Sequence, residues 1–167
     1  MSAPARLGFA VPSTVAAPKP PQSRVGFRAN ADLPWLLVPI GVVSQVALDP
    51  VLAPIPNVKP WLVGVLNARG NLVPVFDLAV VNGLPPTDIK TSTVLVLQPN
   101  EQPFGVLCLG HPHIALASPA SATQVPLSLA ALANFLVTPM QFEGALAFEF
   151  RFLDWINLAG RSLPGSA

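Results

Sequence analysis

Few side chains in this chain of 167 residues could bind a metal ion or act as a nucleophile. Cys108, His111 and His113 form the pattern Cys-x-x-His-x-His, and they are the only cysteine and the only histidines of the chain. A zinc site needs three or four ligands, and Pro112 interrupts the regular strand that would align the two histidines. We therefore expect no metal site. We interpret Cys108, which lies in an apolar run, as a buried small hydrophobic residue.

Carboxylates could supply acid and base chemistry, but here they are scattered singly along the chain. The chain has no tyrosine, no glycine-rich phosphate loop with a lysine and no Ser-His-Asp order. Asp77 could be proposed as a catalytic acid, although its position just before Leu78 is more typical of a helix cap. The sequence therefore predicts a non-enzymatic protein that uses no cofactor.

The most informative polar group is a cation, Arg69, within the segment WLVGVLNARGNLVPVFDL. Two short apolar runs, residues 62–66 and 72–76, flank a polar tip, and their Val and Leu content favours strands. Gly70 in the tip can take a positive φ and Asn71 tolerates one, so the segment predicts a hairpin. Arg69 then lies at the turn, where it is either a solvated turn residue or a contact for a partner.

The overall composition indicates which elements position these groups. Hydrophobic residues make up 51% of the chain and charged residues 10%, against a usual charged fraction of about 25%. Such a chain buries almost everything or presents apolar surface to partners. Its 21 prolines and 11 glycines argue against long helices and favour short strands joined by tight turns.

The charge balance argues against a nucleic-acid partner. Three of the 9 basic residues lie within the first 24 residues, which leaves 9 − 3 = 6 basic against 8 acidic residues afterwards. No basic stripe remains that could neutralise phosphates. No apolar run reaches the length of about 18 residues that a membrane-spanning helix needs, and the N-terminus lacks the pattern of a signal peptide. We expect a cytoplasmic protein.

Hydrophobic periodicity and turn residues predict a mainly β protein with short helices, in which the strands form barrels or a sandwich. Helices are predicted at residues 78–82, 127–136 and 152–159. The last is expected to turn Leu153, Ile156 and Leu158 toward the core and to stop at Gly160. The predicted strands are residues 25–28, 35–40, 42–48, 62–66, 72–76, 93–97, 104–109, 114–118 and 145–150.

The two ends of the chain differ in composition from the middle. Residues 1–23 are rich in Pro and Ala and are expected to form a disordered tail, and residues 164–167 a disordered end. One domain of residues 24–163 lies between them. Within it, residues 49–60 contain four prolines and are expected to form a connecting loop.

The hairpin segment also carries a longer pattern. Gly-x-x-Asn-x-Arg-Gly followed by Val-Pro-Val-x-Asp-Leu resembles the signature of the CheW family, the coupling proteins that join chemoreceptors to a histidine autokinase. The resemblance implies that the domain is CheW-like, with two small SH3-like five-stranded β-barrels centred on residues 42–76 and 93–118. The matching positions are Gly64, Asn67, Arg69, Gly70, Val73, Pro74, Val75, Asp77 and Leu78.

The resemblance implies a site for the receptor's cytoplasmic tip, which the arginine at the position of Arg69 contacts in the family. Val43 and Gln45 share one strand face, which the resemblance identifies as a face that helps receptor binding and which is otherwise an ordinary strand edge. Gln45 stands where the family usually has Glu. Gly64 is interpreted as a close-packing glycine that could also let a partner backbone approach. The predicted interface residues are Arg69, Val43, Gln45, Gly64, Asn67 and Gly70.

A second implied partner is the regulatory domain of a CheA-like histidine kinase, a homologous barrel that would pair with this one. The family usually has Asp where Leu109 stands, so the sequence departs from the pattern at that position. The sequence resembles the version of the family that serves type IV pilus systems. The residues that carry this likeness are Gly26-Phe27-Arg28, Trp61 and the signature itself. Twitching motility is therefore the predicted process, with recruitment to receptor arrays at the inner membrane. The alternatives are flagellar chemotaxis and a CheW-like regulatory module that acts without a receptor.

Overall fold

A computed structural model describes residues 20–98, 101–121 and 124–160, and within them eleven β-strands. All nine predicted strands are present, with ends shifted by a few residues. The strands are β1 (Gln22–Phe27), β2 (Trp35–Leu37), β3 (Val43–Ala47), β4 (Leu52–Ala53), β5 (Leu62–Ala68), β6 (Asn71–Phe76), β7 (Ser92–Gln98), β8 (Phe104–Leu109), β9 (His113–Pro119), β10 (Leu136–Phe142) and β11 (Ala145–Phe150).

Five strands close into a small barrel in the order β1-β2-β11-β10-β9. Its pairs are antiparallel except for β11 with β2, which is parallel. Gly26 leaves the space that the Phe142 ring occupies, since a Cβ there would lie 2.6 Å from a ring carbon. The interior is filled by Trp35, Leu37, Ala117, Met140, Phe142 and Ala147.

The other six strands form a second sheet in the order β3-β7-β8-β6-β5-β4. Its core contains Leu66, Val73, Val75, Val94, Val96 and Leu107. The prediction of a mainly β fold built from two small β units is confirmed. The expected centring of the two barrels on residues 42–76 and 93–118 is wrong. The pairs β3 with β7 and β6 with β8 bring β7 and β8 into the sheet with β3–β6, and β9 belongs to the closed barrel.

Two strands, β4 and β10, were not predicted from the sequence, for different reasons. The two-residue β4 lies inside the proline-rich loop of residues 49–60 and is too short to show a period. The pairing of β10 with β11 shifts register between Val137 and Pro139, where Thr138 has a φ of 50°. A proline inside an apolar run argues against a strand unless a bulge accommodates it, as it does here.

The barrel and the second sheet share one large core rich in aromatic side chains. Trp155 lies 5.3 Å from Phe76 of the second sheet and 6.1 Å from Phe150 of the barrel, measured between ring centroids. Phe152 connects the two in the same way, since its ring contacts Phe27 at 5.9 Å and Phe104 at 5.7 Å. The two β units are therefore packed through aromatic side chains that include those of one helix.

That helix is α2 (Phe152–Gly160), which confirms the predicted C-terminal helix and the inward position of Ile156, but not the inward positions of Leu153 and Leu158. Leu153 and Leu158 are 38% and 54% exposed. The core-facing positions are Phe152, Trp155, Ile156 and Ala159. This spacing of i, i+3, i+4 and i+7 is the apolar stripe of an amphipathic helix, and the aromatic residues decide its phase.

The other two predicted helices have different outcomes. α1 (Leu78–Val81) forms as expected, and Asn82 and Gly83 end it. Residues Leu127–Phe135 are 3₁₀-helical instead of α-helical, with non-helical dihedral angles at Leu129. The buried residues of this segment, Leu129 and Leu132, are three positions apart, which a 3₁₀-helix places on one side.

The N-terminal boundary differs slightly from the prediction. β1 begins at Gln22, and Gln22 and Ser23 pair with Ala117 and Leu116 of β9, so the expected tail extends too far into the domain. Residues 1–19 and 164–167 lie outside the described residues. None of the helices in the described part of the chain is long and apolar enough to cross a membrane.

Candidate functional site

The polar tip of the β5–β6 hairpin is a two-residue turn. Ala68 pairs with Asn71, and Arg69 and Gly70 between them have φ values of 52° and 86°. Positive φ at both central residues is the geometry that matches the twist of two antiparallel strands. The sequence predicted the positive φ of Gly70, but the second left-handed residue is Arg69 and not Asn71.

A side-chain hydrogen bond reinforces this turn. The Asn67 Oδ1 accepts a hydrogen bond of 3.0 Å from the Gly70 backbone N–H. Gly70 has open space around it, so its role is conformational. Asn67 and Gly70 therefore hold the turn in shape, and Arg69 projects from it.

Arg69 is exposed and forms no ion pair or hydrogen bond with its side chain in the described part of the chain. Other arginines there are engaged. Arg24 pairs with Glu149, Arg151 with Asp154, and Arg28 donates to two backbone carbonyls. The Arg69 guanidinium, with five donors on a planar head, is thus available to a carboxylate or carbonyl of a partner.

Arg69 lies beside β3, which is an edge strand of the second sheet and pairs only with β7. Val43, Gln45 and Arg69 together line a cavity of about 200 Å³. Gln45 and Arg69 also line an adjoining cavity of about 500 Å³ that runs along β3 and the end of β5. We call this pair of cavities the β3–β5 groove.

The groove is bordered by apolar surface. Val43 is 67% exposed, and Gln45 beside it on the same face is also exposed. Asp49 supplies a carboxylate among the residues of the larger cavity. Exposed apolar side chains within or near the groove, which the sequence analysis did not single out, are Val46, Leu48, Val51 and Leu72. An exposed arginine next to exposed apolar side chains is typical of a surface that binds another protein.

Gly64 does not belong to this surface. It is buried in β5, and a Cβ at this position would lie 2.6 Å from the carbonyl oxygen of Ala53 in β4. The space that a partner backbone would need is therefore already occupied by the chain itself. The close-packing interpretation of Gly64 agrees with this geometry, and its inclusion among the interface residues is corrected.

Asp77 has the structural role that its position indicated. Its Oδ1 accepts from the Ala79 N–H at 3.0 Å, which caps α1. Thr87 adds two bonds of 2.8 Å, from its N–H to Oδ2 and from its hydroxyl to Oδ1. This buried carboxylate ties the chain after α1 back to the end of β6, and it does not face the β3–β5 groove.

The Cys-x-x-His-x-His motif does not come together as a metal site. Cys108 is fully buried, and burial raises the pKa of its thiol far above the usual range. His113 is exposed at the other side of the motif, with its ring 4.8 Å from Trp35 and its Nδ1 3.7 Å from Glu143. The described residues contain no group of three Cys, His, Asp or Glu side chains placed to hold a metal ion.

One buried charged group of the described residues was not predicted from the sequence. Arg24, which was grouped with the basic residues of the N-terminal segment, is 5% exposed and pairs with Glu149 in the barrel. A signal was present, because Arg24 directly precedes the apolar residues Val25, Gly26 and Phe27 of the predicted first strand.

Comparisons with known proteins bear on the family and the fold of this chain. A family model described as CheW-like domain matches residues 25–128. Protein PilI of Pseudomonas aeruginosa is 39% identical over 56 residues, which are 34% of this chain and only 30% of the length of that relative. The scaffolding protein TtCheW from Thermoanaerobacter tengcongensis superposes with a TM-score of 0.59 at 19% identity, over 78% of this chain and 88% of that chain. At this identity the structural likeness shows the fold alone.

Proposed function

This chain belongs to the CheW-like domain family, and we propose that it is a non-enzymatic adaptor that couples chemoreceptors to a CheA-like histidine kinase. The observation that carries the proposal is Arg69, which lines the β3–β5 groove and whose side chain has no partner among the described residues. Arginine is enriched among the few residues that dominate binding energy at protein interfaces. The groove with Val43, Gln45 and Arg69 would bind the cytoplasmic tip of a receptor of the methyl-accepting type.

The kinase partner in this proposal is the regulatory domain, a homologous barrel. The physical meaning of coupling is a linkage between two binding equilibria. If receptor state changes the affinity of the adaptor for the kinase, then the kinase changes the affinity of the adaptor for the receptor by the same factor. An adaptor therefore needs no catalytic residues. In the described structure, the buried carboxylate of Asp77 serves as a helix cap, which is compatible with such a role.

The proposed adaptor domain begins with β1 at Gln22, two residues before the predicted boundary at residue 24, and extends to residue 163. The family model ends at residue 128, but β10 and β11 complete the five-stranded barrel and α2 supplies part of the shared core. A fragment that ended at residue 128 would leave the barrel open. We propose a cytoplasmic location with recruitment to receptor arrays at the inner membrane, since the proposed partners would be assembled there.

The proposed process is twitching motility driven by type IV pili, supported by the local match to PilI. That match covers about a third of this chain, so flagellar chemotaxis and a regulatory module that acts without a receptor are the alternatives. Deletion of the gene in its organism is expected to impair surface twitching and to leave any flagellar swimming normal. A defect in swimming chemotaxis with normal twitching would favour the flagellar alternative.

A reconstitution with purified kinase and receptor fragment tests the adaptor role. The protein alone is expected to leave kinase autophosphorylation almost unchanged. With receptor present, kinase activity should rise and then fall as the protein is titrated, because excess adaptor separates receptor-bound from kinase-bound complexes. An Arg69→Ala variant is the matched control and should produce the rise only at roughly thirtyfold higher protein concentration. Turnover of a small substrate by the protein alone, abolished by a point mutation, would overturn the proposal.

A further inference from the structure

A buried ion pair joins Arg24 of β1 to Glu149 of β11, near the segment that leads from the barrel into the second sheet. The Arg24 Nη2 donates to the Glu149 Oε2 at 2.7 Å, and the Arg24 Nη1 lies 3.5 Å from the Met140 sulfur. The Arg24 side chain is 4% exposed and that of Glu149 is 24% exposed. An almost fully buried guanidinium must have its charge compensated and its donors satisfied, and Glu149 supplies the compensating charge.

The same guanidinium also holds a backbone carbonyl. The Arg24 Nη2 donates to the Val38 oxygen at 2.9 Å, and the Val38 N–H donates to the Val25 oxygen at 2.9 Å. Val38 is the first residue after β2, and residues 38–42 form the connector that leads into β3. Both polar groups of the Val38 backbone are therefore attached to β1, one of them through the Arg24 side chain.

We propose that Arg24 is a positioning residue for the β3–β5 groove, and that Glu149 orients it for this role. Arg24 fixes the start of the connector, and the connector sets where the edge strand β3 presents Val43 and Gln45 relative to Arg69. The effect of Arg24 on partner binding rests on the proposed adaptor function, whereas its effect on the position of β3 does not.

The position of β3 in the sheet explains why it needs such an anchor. β3 pairs on one side only, with β7, and both Val43 and Gln45 on it are exposed. An edge strand with few buried side chains has little packing of its own to define its position. The connector also contains Gly41, at a φ of 89°, with open space around it. A fixed point at Val38 limits how far such a connector can move.

Glu149 further links the connector to α2. Glu149 and Val42 line one cleft of about 350 Å³ together with Arg151, Phe152 and Leu153. Glu149, near the β11–α2 junction, therefore contacts Arg24 of β1 and borders the same cleft as the connector after β2. A change at this junction would be transmitted to β3 through the carbonyl that Arg24 holds.

Hydrogen exchange of the backbone amides tests the positioning role without any partner. In Glu149→Leu, which removes the acceptor that orients Arg24, the amides of residues 38–47 are expected to exchange at least about tenfold faster than in the unmodified protein. In Glu149→Gln, whose amide oxygen can still accept from Arg24, they should stay within a few-fold. Phe142→Leu is the control for a general loss of barrel stability, since its ring packs on Trp35 of β2 and beside Gly26 of β1, and it should accelerate exchange in the barrel strands more than in β3.

A double variant separates positioning from stability. Replacement of a buried ion pair by apolar side chains often restores stability, so Arg24→Met with Glu149→Leu should recover most of the Tm that Glu149→Leu loses. The Val38 carbonyl still lacks its donor, so exchange in residues 38–47 should stay fast. Recovery of slow exchange together with the Tm would overturn the positioning role. If neither Glu149→Leu nor the double variant exchanges faster in residues 38–47, the positioning role is overturned as well.

A binding measurement then connects the positioning role to the groove. For a purified receptor-tip fragment, the double variant should bind about tenfold more weakly at a temperature where it is fully folded. Unchanged binding by this variant, in an assay where Arg69→Ala does lose affinity, would refute the inference and leave the adaptor function intact. If Arg69→Ala loses nothing either, the proposed function fails, and the exchange data still decide the positioning role.

Discussion

Gln45 and Arg69 line the same two cavities, although one lies on the edge strand β3 and the other at the β5–β6 turn. β3 and β5 are not neighbours in the sheet, since β7, β8 and β6 lie between them. The curvature of the sheet brings its two ends together around the groove. A partner that contacts one of the two side chains is therefore within reach of the other.

Arg69→Ala is expected to weaken binding of a receptor-tip fragment by about 2 kcal/mol, or roughly thirtyfold in Kd, if Arg69 dominates the interface. Stability should change by no more than about 0.5 kcal/mol, because the side chain is exposed and has no partner in the described residues. Lys59→Ala, which removes another exposed cation, is the control for net charge. Calorimetric titration measures the difference, and equal affinities in folded variants would contradict the assignment.

Gln45→Glu restores the charge that the family usually has at this position. It is expected to strengthen receptor binding by about 0.2–1 kcal/mol at low salt, with the gain reduced as the salt concentration rises. Gln141→Glu makes the same charge change at an exposed site of the barrel and should have no effect. If the gain is absent or independent of salt, the partner of this protein has no cation that faces Gln45.

Gly64→Ala should destabilise the protein by about 1–3 kcal/mol, because the new methyl group would overlap the Ala53 carbonyl oxygen and push β4 away from β5. Receptor affinity of the folded variant should be unchanged, since Gly64 is buried beneath the surface. Urea denaturation and a binding titration distinguish the two effects. Lost affinity at unchanged stability would return Gly64 to the interface.

Asp77→Ala removes the acceptor for the Ala79 N–H, the Thr87 N–H and the Thr87 hydroxyl. We expect a loss of about 2 kcal/mol or more, since buried donors are left without a partner. Thr87→Val removes only the hydroxyl and should cost less than half as much. Denaturation curves compare the two, and a near-neutral Asp77→Ala would show that water or another group satisfies these donors.

Removal of residues 1–19 is expected to leave the Tm unchanged, because their composition lacks a core-forming pattern. Removal of residues 1–23 should lower it by several degrees, since this also deletes the pairs of Gln22 and Ser23 with Ala117 and Leu116. Thermal unfolding of the two truncated proteins measures the contrast. A drop of several degrees for the shorter truncation would show that the first residues pack on the domain.

Several features followed from the sequence alone because local chemistry specifies them. Short apolar runs bounded by turn residues indicated nine of the strands, and Gly70 between two such runs indicated the hairpin between β5 and β6. Asp77 before an apolar stretch identified the cap of α1. The signature around Arg69 implied the CheW family, and the family model agrees. Each of these signals is contained within a few neighbouring residues, whose dihedral preferences and side-chain period do not depend on distant contacts.

The tertiary structure decided the features that depend on pairs distant in sequence. The assignment of β7 and β8 to the same sheet as β3 and β6 comes from long-range pairing, which the period of each strand does not encode. The inward face of α2 was set by the aromatic rings that it meets. Gly64 was excluded from the surface by the Ala53 carbonyl, and Arg24 became a buried anchor through Glu149 and Val38. Burial and complementarity between distant segments select these arrangements, so only the folded chain shows them.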